Sequence, residues 1–138
     1  MTKILATTFG AALLLFGAAA FVSPALLGAH TSPLAGLIHL VLGAAAVWCA
    51  QKGGPSAQFW GTLAVAAFYL LWGVAGWALG RPSESTLQTM PPDLRLLVLV
   101  PGYIESGRSD HMFHLFVGVG LGISALVSMS ETPFRLRK

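Results

Sequence analysis

Two histidines stand in matching heptapeptides, Leu37-Ile38-His39-Leu40-Val41-Leu42-Gly43 and Met112-Phe113-His114-Leu115-Phe116-Val117-Gly118, each inside an apolar run. An imidazole within a hydrocarbon-embedded helix is costly to bury, so it takes a partner inside its bundle and often a task. Three chemistries suit such a pair. The rings can hydrogen-bond across a bundle, to each other, to Asp110 or to a backbone carbonyl, and so pin helices together. They can serve as axial ligands of haem or another tetrapyrrole, with Asp110, four residues before His114 and on its helix face, orienting the imidazole. A small metal ion is the third chemistry, held by His111 and His114, three apart on one helix, with His39 or His30 joining them. Met90 and Met112 offer soft thioethers, though in an apolar chain such side chains mostly pack. The cofactor-free, hydrogen-bonded account is the expectation, because a packing motif is inherited whenever a unit is duplicated.

Catalysis finds little support. Ser109, Asp110 and His111 are consecutive, so their side chains diverge around a helix start and cannot place a nucleophile beside its base. No glycine-rich phosphate loop of a known pattern occurs. No carboxylate or basic residue lies mid-membrane to define a transport path. Cys49 is the sole cysteine, so no internal disulfide can form and a small apolar packing role is expected for it. The chain is read as non-enzymatic.

The elements that must position these side chains follow from composition. Of 138 residues, 55% are hydrophobic and 9% charged, with a mean hydropathy of +0.74; soluble domains carry about a quarter charged residues. Spanning a bilayer takes roughly 20 mostly apolar residues, and such runs cover about Ile4 to Leu27, Leu34 to Ala50, Ala57 to Leu79 and Ser109 to Met129. The expected fold class is an all-α membrane protein: four transmembrane helices forming one domain, 1–138, as two parallel hairpin repeats, 4–50 and 57–129. The first run is long for a cleaved signal peptide and is read as a retained span. Phe16-Gly17-Ala18-Ala19-Ala20-Phe21 in span one is answered by Trp72-Gly73-Val74-Ala75-Gly76-Trp77 in span three. Because each unit is a hairpin, both enter from one side, which puts His39 and His114 in the same leaflet.

Thr31-Ser32-Pro33 predicts a cap followed by proline at the first helical position, and Ser109-Asp110 a cap followed by a first-turn acid. The outer loop, 81–108, carries the apolar segment Leu94 to Val100 between Pro91-Pro92 and Pro101-Gly102; too short to span, it predicts a short interfacial helix with Arg95 toward the headgroups. Gly118 with Gly122 and Gly76 with Gly80 form small-residue stripes suited to helix packing. Ala35, His39 and Gly43 leave space around the first imidazole for a neighbouring helix or a flat ligand. The four tryptophans, with Tyr69 and Tyr103, read as interface belt and packing aromatics.

Lys3, Lys52, Arg135, Arg137 and Lys138 fall on one side of this bundle, whereas Arg81, Arg95 and Arg108 on the other are diluted by Glu84, Asp93 and Glu105. The bias places both termini in the cytoplasm. The formal net charge of +3 is thus topological, its basic tail facing lipid headgroups rather than nucleic acid.

The two His-Leu-x-x-Gly spans, the Asp110-x-x-x-His114 start of the second, and the aromatic-glycine span before each resemble a family of small bacterial four-helix membrane proteins of unknown function. The resemblance covers most of the chain. It implies a four-helix fold and no reaction; where that family leads one to expect Asn or a similar polar residue three before the first histidine, this chain has Gly36. The function expected is that of a small integral subunit of the bacterial inner membrane, multi-pass, lying in the lipid bilayer and packing against a larger respiratory or photosynthetic assembly. The alternative is a haem-, tetrapyrrole- or metal-binding module using His39 and His114.

Overall fold

The computed structural model of the chain describes residues 2–23, 25–87 and 90–131, so Arg135, Arg137 and Lys138 of the basic tail lie outside it. Four helices carry the architecture: α1 (Thr2–Ala19), α2 (Pro33–Gln51), α3 (Thr62–Leu79) and α4 (Arg108–Glu131). All four are long and apolar enough to cross a membrane, α3 together with the π turn Ala57–Gly61 that leads into it. The all-α class stands.

Local chemistry fixes the helix ends. Ser32 caps α2, its hydroxyl accepting from Ala35 N at 3.1 Å, and Pro33 follows at the first position, where the missing N–H costs nothing. The start of α4 differs from expectation. Ser109 lies inside the helix, which opens at Arg108, and Asp110 is the residue whose carboxylate reaches back to the Gly107 N–H at 2.8 Å. An acid at the third position folding back onto the cap residue satisfies a donor that the helix itself cannot. Span one is also shorter than its apolar run, ending at Ala19 ahead of a turn over 20–22 and a single 3-10 turn at Leu26–Gly28. The run contains Ser23-Pro24, and proline has no N–H to continue a helical ladder.

Glycines set how the helices pack. A methyl group on Gly17 would sit 2.7 Å from Gly36 O, and one on Gly43 would sit 2.9 Å from Gly10 O. The α1 and α2 backbones therefore touch at two levels, which only a residue without Cβ permits. In the second hairpin Gly73 faces Leu115 and the His111 carbonyl, Gly76 lies under the His111 ring, and Gly118 receives Leu70. The space expected beside His39 at Gly43 is thus filled by α1. The stripes read from the sequence are split: Gly118 faces α3 whereas Gly122 has nothing within 4 Å, and Gly80 abuts the Arg95 carbonyl rather than another helix. Helix α1 meets α4 through Phe9, seated over Gly120, and through Phe16 stacked on Phe113 at 4.1 Å. Helices α2 and α3 pack far less closely than α1 with α2, α3 with α4 or α1 with α4.

The apolar core, built around Ala6, Leu13, Ala46, Val65, Val117 and Leu121, fills the half of the bundle nearer the N-terminus. At the opposite end stands a three-stranded antiparallel sheet, β1 (Arg81–Ser83), β2 (Asp93–Val100) and β3 (Ile104–Ser106), in the order β1-β2-β3. This overturns the interfacial helix expected for Leu94 to Val100. Eight residues hemmed by prolines make too short a helix to nucleate alone, whereas here flanking segments are at hand to pair with each half of the strand. Arg81 pairs with Leu96, and Leu97 with Ser106. Val100-Pro101-Gly102-Tyr103 closes the second hairpin. Gly102 has φ of +75° and Tyr103 N donates to Val100 O at 3.0 Å, the pattern of a type II turn with proline then glycine at its centre.

Gly76→Ala is expected to drive a methyl into the His111 ring and to cost about 1–3 kcal/mol, whereas Gly122→Ala, in open space, is expected to leave stability unchanged. Thermal unfolding of both variants in one detergent checks the pair.

Candidate functional site

His39 and His114 each lie six residues past the first residue of their helix, roughly 9 Å along the axis at 1.5 Å per residue, so the helices present them at one depth. Both are sealed from solvent, at 2% and 1% exposure. Their Nε2 atoms are 3.1 Å apart, and His39 Nδ1 is 2.5 Å from the Ala35 carbonyl one turn earlier. The carbonyl can only accept, so His39 Nδ1 carries a proton and its Nε2 is left as an acceptor. The bridging proton therefore belongs to His114 Nε2. A directed chain results, running from α4 through the His39 ring to the α2 backbone.

Aromatic rings close around this pair. Trp72 lies 4.7 Å from His114 and Tyr69 5.3 Å, while Phe16 lies 5.3 Å and Tyr69 5.6 Å from His39. Phe68 meets both Tyr69 and Trp72 edge to face at 5.3 Å. All four helices contribute to this layer. The nitrogens that an iron would need are bonded to each other and the faces of both rings are covered, so a tetrapyrrole would have to part the pair and displace aromatic packing. Among the described residues, Tyr69 Oη, Trp72 Nε1 and His114 Nδ1 are buried here without a hydrogen-bond partner.

Asp110 does not orient His114. Its carboxylate accepts from His30 N at 2.8 Å, from Thr31 Oγ1 at 3.2 Å and from Gly107 N at 2.8 Å, and it is 2% exposed. It joins the α1–α2 connection to the start of α4. The reason is positional: side chains in a first helical turn reach backward to the cap, where uncovered N–H groups wait. Ser32 ties the same connection to the sheet through the Tyr103 carbonyl.

The other two histidines anchor the loop. His30 Nε2 donates to Pro91 O at 2.8 Å and His111 Nε2 to Arg95 O at 2.7 Å. His111 and His114, proposed together as metal ligands, thus turn their nitrogens to different partners, and among the described residues no three His, Cys, Asp or Glu side chains come together as a metal-binding group. Met112 points outward at 58% exposure. Cys49 is buried against Gly61, as a packing residue would be.

One buried anchor carries no signal in the sequence. Glu105, on the three-residue strand β3, is 1% exposed. It accepts from Ser85 Oγ at 2.5 Å, from Thr86 N at 2.7 Å and from Thr86 Oγ1, and Thr86 Oγ1 in turn accepts from Gly102 N at 2.6 Å. Burial alone would push this carboxyl up; the Ser85 and Thr86 hydrogen bonds, with the charge of His30 behind them, outweigh it and hold the group below its ordinary value. No local pattern marks a lone Glu between Ile104 and Ser106 as a loop anchor; only the return of 85–86 to the same place does.

Comparisons with family profiles, curated proteins and solved structures give no match. The family likeness stated above therefore rests on its quoted motifs alone.

Two outcomes are expected. In a double-mutant cycle of His39→Phe and His114→Phe, read by unfolding in detergent, the coupling is about 0.6–2 kcal/mol, the range for interhelical hydrogen bonds in membranes; additive effects would dissolve the bond. For Glu105, a folded-state value below the unfolded one gives stability that is present above the ordinary carboxylate range and lost as pH falls through the folded value. Amide exchange at Thr86 and Gly102, corrected for intrinsic rates, should accelerate as pH falls below the ordinary carboxylate range, and Glu105→Gln should abolish that acid step.

Proposed function

We propose that this chain is a non-enzymatic, multi-pass subunit of the bacterial inner membrane, both termini cytoplasmic, that packs against a larger membrane assembly, and that its two hairpins are duplicated units. The carrying observation is an exposed seam on α4. Met112, Phe116, Val119, Ile123 and Leu126 follow one another at intervals of four and three residues, and each is at least half exposed. That is the spacing of a helix-packing seam, and beside it Gly122 offers a notch in which a methyl group would touch nothing. Each of the other glycines within the four spanning helices meets an atom of the chain itself.

The interior supports the same reading. Its buried imidazoles and the Asp110 carboxylate are spent on hydrogen bonds that join the molecule's own parts. A group already committed in this way is poorly placed to act on a substrate. The His39–His114 pair is read accordingly as a clasp between helices rather than as a ligand set.

Mild-detergent extraction from native membranes, followed by native electrophoresis and mass spectrometry, is expected to find the chain in a larger complex without a Soret band. Gly122→Leu should release it while its own melting temperature stays unchanged. Recovery as a lone monomer overturns the subunit role, and a Soret band lost in both His39→Ala and His114→Ala overturns the clasp.

A further inference from the structure

Strand β2 lies across the ends of two spans. Near its start the Arg95 carbonyl abuts Gly80, the C-cap of α3, and Arg95 Nη1 donates to the carbonyl of Trp77, three residues earlier, at 3.1 Å. Beyond its far end the turn 100–103 is held by Ser32, the cap of α2, whose Oγ donates to Tyr103 O. Helix ends mark the level at which a spanning bundle leaves the hydrocarbon. Fixed to two of them, β2 runs along that boundary and not away from it.

Its chemistry changes along the way. At the start Asp93 pairs with Ser83 of β1, and Arg81, Glu84 and Arg95 stand exposed nearby. Residues 96–104 carry no charge, and the Tyr103 hydroxyl is their one polar side-chain group. Leu96 and Leu97 are buried, but the chain then opens, with Leu99 52%, Val100 44% and Tyr103 62% exposed. Turns that meet water draw on Asn, Asp and Ser beside glycine and proline. Here Pro101-Gly102 supplies the backbone geometry, and leucine, valine and tyrosine surround it.

These uncovered side chains do not share one side. Leu99 joins Leu97 and Ile104 on the wall of a groove of about 380 Å³ that also takes in Ile38 of α2 and Leu71 of α3. Val100 and Tyr103 line no part of that groove, yet they are open too. A single protein surface would cover one side of this tip, whereas fluid hydrocarbon covers every side at once. On the groove side the tip is already continuous with the flank of the spans: Leu71 is 71% exposed near the middle of α3, and Ile38 lies five residues past Pro33, roughly 7.5 Å along the α2 axis.

We propose that the tip, residues 99–103, is a lipid-inserted anchor, with Leu99 and Val100 among the acyl chains of the leaflet at the sheet end and the Tyr103 ring at the headgroup boundary. Large exposed apolar patches mark membrane or protein contacts, and the openness of this one on several sides selects the membrane. Tyrosine suits the boundary, its ring apolar and its hydroxyl wet. The charged start of β2 stays among headgroups and water. The anchor rests on the four helices spanning a bilayer and is independent of any partner assembly.

The test is site-directed spin labelling of the full chain in phosphatidylcholine vesicles, on a Cys49→Ala background, with the label placed in turn through Val100→Cys, Tyr103→Cys, Ser83→Cys and Leu71→Cys. Tyr103 meets Ser32 through its backbone carbonyl, so its label leaves that tie in place. Power saturation by oxygen, which concentrates in hydrocarbon, and by a water-soluble nickel chelate reads the depth of each label. Labels at 100 and 103 should be several-fold less accessible to nickel than the label at 83, and more accessible to oxygen, with the label at 71 deepest. Adding Val100→Glu should raise nickel access at 103 several-fold, since a charge resists the acyl region. Nickel access at 100 and 103 equal to that at 83 overturns the anchor, while a label at 71 still shielded from nickel leaves the spans standing. Exclusion of both reagents from 100 and 103, as in a contact between two copies, overturns it as well. A watery reading at 71 removes the spans and the anchor together.

Discussion

Hydrocarbon offers no hydrogen bonds, so every polar group carried into it must be answered by another part of the protein. Here that demand falls first on His39 and His114, whose Nε2 atoms answer each other, while His114 Nδ1, Tyr69 Oη and Trp72 Nε1 beside them find no hydrogen-bond partner among the described residues. The bond fixes the rotation of α2 and α4 about their axes, because each ring must face the seam. It also fixes their relative depth, because the two nitrogens meet only when both rings lie at one level. Once those are set, Tyr69 and Trp72 of α3 and Phe16 of α1 have a flat polar surface to cover, and the remaining helices take their places around it.

The molecule is layered along its axis by this constraint. Toward the N-terminal end the interior is small and apolar, with Ala6, Leu13, Ala46 and Leu121 at or near zero exposure. The ring layer lies beyond it. At the far end polar atoms take over, with Asp110 and Glu105 each gathering several donors from segments distant in sequence. The contribution of one interhelical bond is on the order of 0.6–2 kcal/mol, too small to hold a bundle. Close backbone packing at Gly17, Gly36, Gly73 and Gly118 is what brings the helices near enough for that bond to select a single arrangement.

The spans and the matching histidines were legible because they depend on local composition and on positions counted from helix starts. Ser32-Pro33 announced its cap for the same reason. What was hidden depends on segments meeting across long separations. Nothing near Leu94 to Val100 says that Arg81–Ser83 and Ile104–Ser106 will flank it, although Pro101-Gly102 was a turn signal that the helix reading passed over. Asp110 shares a helix face with His114, yet the bare N–H groups of Gly107 and His30 outcompeted the imidazole for its oxygens. Glu105 looked like one more surface acid diluting the arginines. It is instead buried under the strands, where Ser85 and Thr86 take up its oxygens.

The paired glycines of α1 and α2 carry a mechanical consequence. Gly10 meets Gly43 and Gly17 meets Gly36, two teeth set seven residues apart on each antiparallel rod. Sliding one rod by a single turn would bring a side chain into each notch at once, so axial piston motion within this hairpin is blocked. The two helices of this hairpin are thus bound to shift along the bundle axis together.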